Sequence, residues 1–223
     1  MVSACLFSAV MTLCFWSPYR VQFAIARCWA AIVFWMLAQI CGLKYSVIGQ
    51  ENIPAGIHIL MCNHSSTWET IAQFLLFPAQ VWVIKRELLW IPFVGWGIKL
   101  LNPIAIDRDA GRAAVNQVIE QGLQRLAAGY WVIIFPEGTR VYPGQTRKYG
   151  VSGAMLASQS GKLVVPISHN AVNYWTRRSL LKKPGTIRVV IGKPIIAAGK
   201  DPRALNDEVR AAIEAGLARI AAL

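Results

Sequence analysis

The sequence predicts an α/β domain, a mixed central sheet flanked by helices, preceded by an N-terminal hydrophobic two-helix membrane hairpin. Three observations carry this prediction. Met1 to Trp16 and Cys28 to Gly42 carry no charge, and Arg20, Arg27 and Lys44 mark their edges. From Tyr45 onward, short apolar runs alternate with stretches of helical periodicity, the pattern of an α/β domain. The chain of 223 residues is 55% hydrophobic and 15% charged, with a mean hydropathy of +0.42, and is long enough for one full core plus an appendage. The expected division is a membrane-associating helical hairpin over 1–44 and an α/β domain over 45–223.

Each N-terminal apolar run is about 16 residues, or roughly 24 Å as helix, short of a ~30 Å hydrocarbon core. With Ser17-Pro18-Tyr19-Arg20 between them, the runs suggest two helices joined by a basic turn and lodged in one leaflet. A single spanning helix is the alternative. No basic segment precedes the apolar stretch, so a cleaved signal peptide is not expected.

Candidate strands follow at Ile57–Met61, Val81–Ile84, Ile104–Ile106, Trp131–Phe135, Leu163–Ser168 and Thr186–Ile191, the last introduced by Pro184-Gly185. Val115, Val118, Ile119, Gly122, Leu123 and Leu126 fall at helical spacing, with Gly129 as the stop. Asp201-Pro202 reads as the N-cap and first residue of a final helix, whose Leu205, Val209, Ile213, Leu217 and Ile220 form a core-facing stripe.

The charge balance is strongly basic, 23 Lys plus Arg against 11 Asp plus Glu, a net +12. A surface of this sign attracts nucleic acid or anionic lipid. Nine tryptophans favour a membrane interface, where amphipathic rings settle. Helix-turn-helix, RNA-recognition and zinc patterns are absent from the sequence, which argues against nucleic acid. The five cysteines form no Cys-x-x-Cys pair and read as small buried hydrophobes in a reducing compartment.

Asn63-His64-Ser65-Ser66-Thr67-Trp68-Glu69 carries the chemistry. Histidine titrates near working pH, and a carboxylate beside it can fix its tautomer and stabilise the imidazolium. The stretch offers no nucleophile of its own, so the pair suits activation of a substrate hydroxyl. Ser66-Thr67-Trp68-Glu69 also fits a helix capping box, and the two readings are compatible. Three further motifs lie where strands end, as sites in α/β folds do. Phe135-Pro136-Glu137-Gly138-Thr139-Arg140 offers a tight glycine turn, a hydroxyl and a guanidinium suited to phosphate. Ile106-Asp107-Arg108, taken alone, reads as a surface ion pair of little energetic worth. Lys85-Arg86-Glu87-Leu88, with Pro92 and Gly95, suggests the shaping of a channel. Trp175, Arg177, Arg178, Lys182 and Lys183 form a basic aromatic cluster suited to headgroups or to solvent.

In this order, His64-x4-Glu69, Lys85-x-Glu87-Leu88 with Pro92 and Gly95, Ile106-Asp107-Arg108, Phe135 to Arg140 and Val165-Pro166-Ile167 resemble the four blocks of the glycerophospholipid acyltransferase family, as found in its bacterial members. The resemblance runs from about His58 to Ile167. It implies an acyltransferase domain on the cytoplasmic face of a bacterial inner membrane, monotopic or single-pass. The implied reaction moves an acyl group from acyl-CoA or acyl-carrier protein to the sn-2 hydroxyl of 1-acyl-glycerol-3-phosphate (lysophosphatidic acid), giving phosphatidic acid, with no metal or other cofactor. His64 and Glu69 would be catalytic; Lys85, Arg108, Gly138, Thr139 and Arg140 would hold the phosphate; Asn63, Glu137 and Pro166 would support them. Two positions depart from the family pattern. Glu69 stands where Asp is usual, and Asn102-Pro103 precedes Ile106-Asp107-Arg108 where a glycine is usual. Another lysophospholipid or a lyso-ornithine lipid is the alternative acceptor, and a non-catalytic protein that binds anionic lipid is the alternative class.

Overall fold

The computed structural model describes residues 2–142, 145, 147–177 and 179–223. Its strands are β1 (Leu43–Ile48), β2 (Ile59–Cys62), β3 (Gln80–Lys85), β4 (Ile104–Ile106), β5 (Trp131–Ile134), β6 (Val164–His169) and β7 (Gly185–Ile191). Its α-helices are α1 (Val2–Leu13), α2 (Tyr19–Cys41), α3 (Trp68–Leu76), α4 (Val94–Leu100), α5 (Arg112–Ala127), α6 (Ser152–Ser160) and α7 (Pro202–Ala221).

The seven strands form one sheet in the order β1-β7-β6-β2-β5-β3-β4. β6, β2, β5, β3 and β4 are mutually parallel; β7 runs against β6, and β1 lies parallel to β7. The sheet is therefore mixed, as the sequence predicts. β2 (ILMC) and β5 (WVII) are buried throughout, which is why they read as continuous apolar runs rather than alternating ones. With the usual right-handed crossovers, this strand order puts α3, between β2 and β3, on one face and α5 and α6, which pack together, on the other. α7 joins α5 and α6 by packing on α6, β6 and β7. Asp201 caps α7 by accepting from the amides of Arg203 and Ala204, and Pro202 follows it, both as expected.

Six of the strands lie within a residue or two of their predicted ranges. β1 has no counterpart among the predicted strands, because Lys44, Tyr45 and Ser46 are exposed on this sheet edge and supply no apolar run. Its range contains the expected 44/45 boundary.

At the N-terminus, α2 is 23 residues long and joins two segments that the sequence reading separates, the basic Tyr19-Arg20 turn and the run ending at Gly42. Among the described helices it alone is long and apolar enough to cross a membrane. Gly42 ends it in the left-handed conformation, at φ +60°. α1 is shorter and packs mainly on α4 rather than along α2. A Cβ on Gly97 of α4 would stand 2.5 Å from the Ser8 hydroxyl oxygen of α1, so the two helices meet at a glycine.

One stripe of α2, Tyr19, Phe23, Ala26, Ala30, Phe34 and Leu37, is buried at three- and four-residue spacing. Phe23 packs on Phe74 of α3 at 5.6 Å between ring centroids, and Phe34 on Trp68 at 5.4 Å. The Tyr19 hydroxyl donates to the Gln80 carbonyl at the start of β3. Trp35, Met36 and Ile40, on the opposite side, are exposed.

Candidate active site

Five parallel strands end on one edge of the sheet, and every predicted site residue except Pro166 lies in or just beyond a strand end there. β2 runs out into Asn63 and His64, and the chain turns through Ser65 and Ser66 into α3. Glu69, in the first turn of α3, folds back over this turn. One of its oxygens, Oε1, accepts from His64 Nδ1 at 2.8 Å, from the Ser65 amide at 3.0 Å and from the Ser66 amide at 2.9 Å. The last of these is the reach-back bond of a capping box. Its other half is shifted by one residue: the Ser66 hydroxyl accepts from Trp68 N at 3.1 Å, and α3 starts at Trp68 rather than beside Ser66.

Because a carboxylate only accepts, His64 Nδ1 carries the proton and Nε2 is left with a free lone pair. The ring is held against Phe135, stacked at 4.0 Å and 22°. The His64 side chain is 13% exposed while Glu69 is 2% exposed, so the imidazole faces an opening and its carboxylate does not. Burial draws the His64 pKa below the usual imidazole value; Glu69 opposes this, and nearby Arg140 and His169 add to it. Burial alone would raise the Glu69 pKa, but His169, His64 and the Ser66 amide outweigh it and hold the group ionised, below the usual carboxylate value. The pair therefore rests as neutral imidazole on carboxylate, the resting state of a general base.

The next strand end, beyond β5, carries Phe135 to Arg140. Gly138 turns the chain at φ +68°, and the Val141 amide donates to the His64 carbonyl at 2.8 Å, tying this loop to the histidine turn. Glu137 Oε2 accepts from the His64 amide at 3.0 Å. Burial lifts the Glu137 pKa to about 7, so near neutrality this carboxyl is partly protonated and presents a reduced charge. Arg140 is half-buried, and among the described residues its Nε has no hydrogen-bond partner. A guanidinium N–H in that state is a donor without an acceptor, and an anion would satisfy it. Gly138 and half-buried Thr139 precede it in the same loop.

Lys85 and Arg108 stand further off. Strands are spaced by about 4.8 Å, so the ends of β3 and β4 lie roughly 10 and 14 Å along the edge from that of β2. Lys85 Nζ is 3.3 Å from Glu87 and 3.8 Å from Asp109, and Arg86 pairs with Asp107 at 2.9 Å. Arg108 is exposed, and burial of part of its side chain with the nearby Arg147 charge lowers its pKa against the pull of Glu87. The structure thus groups His64, Glu69, Glu137 and Arg140, and leaves Lys85 and Arg108 as a second cationic station. Pro166 is a sheet residue of β6 paired with Met61, set back from this edge.

One residue of the site, His169, has no forecast in the sequence reading; Asn63, expected there as a support, is joined to it. Asn63 clamps the ends of β2 and β6: its Nδ2 donates to the His169 carbonyl at 3.1 Å, and its Oδ1 accepts from the His169 amide at 2.9 Å. His169 is fully buried, with Nε2 donating to the Asn63 carbonyl at 2.8 Å and lying 3.8 Å from Glu69 Oε2. Its Nδ1 accepts from the Ala171 amide, which fixes the neutral tautomer. The signal available was a histidine at the very end of a predicted strand, one of three in the chain. In the basic aromatic cluster, the Trp175 carbonyl accepts from the Ser66 hydroxyl and Lys182 Nζ lies 4.6 Å over the Trp175 ring. Arg178 lies outside the described residues.

A parallel-sheet edge with a histidine–carboxylate pair beside a cationic glycine turn suits transfer to a hydroxyl, and residues 44–170, more than half of the chain, match the Acyltransferase family model. The chain belongs to that family. It is 42% identical to the 1-acyl-sn-glycerol-3-phosphate acyltransferase of Pseudomonas aeruginosa over 207 residues, 91% of this chain and 80% of that protein. To the Saccharomyces cerevisiae protein of the same name it is 31% identical over 150 residues, 66% of this chain and 48% of that one. The crystal structure of the 1-acyl-sn-glycerophosphate (LPA) acyltransferase PlsC from Thermotoga maritima has the same fold, with a TM-score of 0.78 across 99% of this chain and 95% of that one, at 22% identity.

Proposed function

We propose that this chain transfers a fatty acyl group from an acyl thioester, acyl-CoA or acyl-carrier protein, to the sn-2 hydroxyl of 1-acyl-glycerol-3-phosphate, giving phosphatidic acid. One observation carries this reading: His64 presents an Nε2 lone pair within the electrostatic influence of Arg140, whose guanidinium has an N–H without a partner among the described residues. Family membership and the names of the relatives agree with it.

His64 Nε2 takes the proton of the sn-2 hydroxyl as its oxygen attacks the thioester carbonyl. The tetrahedral intermediate then collapses, the carbon–sulfur bond breaks, and the thiolate leaves with the proton carried by His64. Glu69 holds the ring and offsets the imidazolium charge, a contribution of about 10²–10⁴-fold for the base as a whole. The acceptor phosphorus is four bonds from the reacting oxygen, which favours Arg140, with Gly138 and Thr139, as its first contact. Lys85 and Arg108 reach toward it from further along the edge. Asn63 and Glu137 hold the histidine turn, and Pro166 shapes β6. The reaction needs no metal or other cofactor. Residues 1–44 attach the enzyme to phospholipid through α2, with the site on the cytoplasmic side of the bacterial inner membrane.

The test is turnover of lysophosphatidate with acyl-CoA. His64→Ala is expected to lose at least a hundredfold, and retention of a tenth of wild-type turnover would sink the general-base role. Arg140→Ala is expected to raise the acceptor KM by about 10–100-fold, the worth of a charge-assisted hydrogen bond. Arg108→Ala should raise it less. If neither changes KM while a lyso-ornithine lipid is acylated, the acceptor assignment is wrong and the base assignment stands.

A further inference from the structure

The segment from Leu88 to Ile98 holds no charged residue, and most of its large apolar side chains are exposed. Trp90 is 69% exposed, Phe93 51% and Trp96 49%; Leu88, Ile91 and Pro92 are exposed as well. Four consecutive exposed apolar residues, Trp90-Ile91-Pro92-Phe93, are a defect in a soluble surface unless something covers them.

The backbone maintains this presentation at a conformational expense. Phe93 adopts φ +62°, a conformation that bulky residues avoid and that persists only where surrounding structure enforces it. Its ring is thereby set against Trp96, at 5.1 Å. Gly95 makes the fold-back possible, since a Cβ there would lie 2.4 Å from the Leu89 carbonyl oxygen. Pro92 and Gly95 thus shape an outward aromatic turn rather than a channel wall. Gly97 brings the turn against α1, whose Leu6, Val10 and Leu13 are also exposed, followed by Phe15 and Trp16. The two surfaces meet where Phe15 and Trp96 line one cleft. Lys99 closes the segment on its far side.

We infer that the Leu88–Trp96 turn is a second bilayer contact, seated with α1 at the boundary between headgroups and acyl chains, beside the strand end that carries Lys85. Tryptophan and phenylalanine flanked by a lysine suit that boundary, and continuity with the uncharged α1 favours lipid over a protein partner. The contact gives a lipid-borne acceptor an entry beside the active edge. It rests on the membrane association proposed above and adds a specific surface to it.

Tryptophan quenching by phosphatidylcholine–phosphatidylglycerol vesicles with brominated acyl chains tests it. Wild-type emission should be quenched, and in Trp90→Leu/Trp96→Leu the quenchable fraction of the remaining emission should fall. An unchanged or higher fraction overturns the inference, whereas no quenching of wild type would refute membrane association itself. Trp90→Asp/Phe93→Asp should lower partitioning onto the same vesicles by at least about tenfold. Its turnover of a short-chain, water-soluble acceptor should stay within twofold, which doubles as the check that it folds. Equal loss on both acceptors, or a wild-type oligomer that the variant dissociates, would assign the turn to the protein core or to self-association instead.

Discussion

Glu69 gathers three N–H donors on one oxygen and turns its other oxygen toward buried His169. Shortening it withdraws the acceptor from all three donors, so Glu69→Asp is expected to lower kcat by about 10–100-fold with little change in KM. Glu69→Gln retains the shape but not the charge and should cost about 10²–10⁴-fold. The signs for pH follow from the same contacts. Burial lowers the His64 pKa, so the acid limb of kcat/KM should fall below the usual imidazole value of about 6.5. Arg140→Ala, which removes a charge that lowers this pKa, should move the limb upward. Glu137 titrates at about 7 in the fold against about 4.3 unfolded, so the native state holds its proton more tightly. The stability this confers is present below the unfolded value and is lost as pH rises to about 7. Glu137→Gln should flatten that loss and raise Tm at pH 8, by a few degrees, in thermal scans. His64 and Glu69 were legible from residue type and spacing, since proton transfer needs those groups close in sequence or in space and here they are close in both. His169 was not, because its contact with Glu69 exists only once β2 and β6 are paired.

At the scale of the element, the histidine turn and α3 behave as one unit. The Ser66 hydroxyl accepts from Trp68 N and donates to the Trp175 carbonyl, so it joins the start of α3 to the chain beyond β6. Ser66→Ala is expected to lower stability by about 1–2 kcal/mol, measured by denaturant titration. On the opposite face, α5 rides close to α6 at Gly122, where a Cβ would stand 2.5 Å from Leu156 Cδ2. Gly122→Ala should therefore destabilise by about 1–3 kcal/mol despite the better helix propensity of alanine. The capping box announced α3 but misplaced its first residue, because the Ser66 hydroxyl bonds the amide of Trp68, two residues on, rather than that of Glu69, three residues on. Strands buried on both faces announced themselves as apolar runs; the exposed edge strand β1 could not.

For the molecule as a whole, strand order was beyond the sequence. Nothing in the local pattern of β7 says that it reverses direction, since an antiparallel edge on a parallel sheet uses the same residue types. The charge balance, in contrast, is a whole-chain property and can be read directly. With a net +12, association with vesicles rich in phosphatidylglycerol should weaken as salt rises from about 0.05 to 0.5 M, while association with neutral phosphatidylcholine vesicles should change little. Flotation assays at the two salt concentrations separate these components.

The buried stripe of α2 has a further consequence for how this protein can be cut. Phe23 and Phe34 rest on Phe74 and Trp68, and Trp68 is the neighbour of Glu69 in the same helical turn. The long apolar helix α2 is thus the outer wall of the helix that carries Glu69. Removing it would strip α3 to solvent on the side facing away from the sheet. A chain cut before Leu43 is therefore expected to expose Phe74 and Trp68 and to unfold at a lower temperature than the full chain, measured by thermal scans.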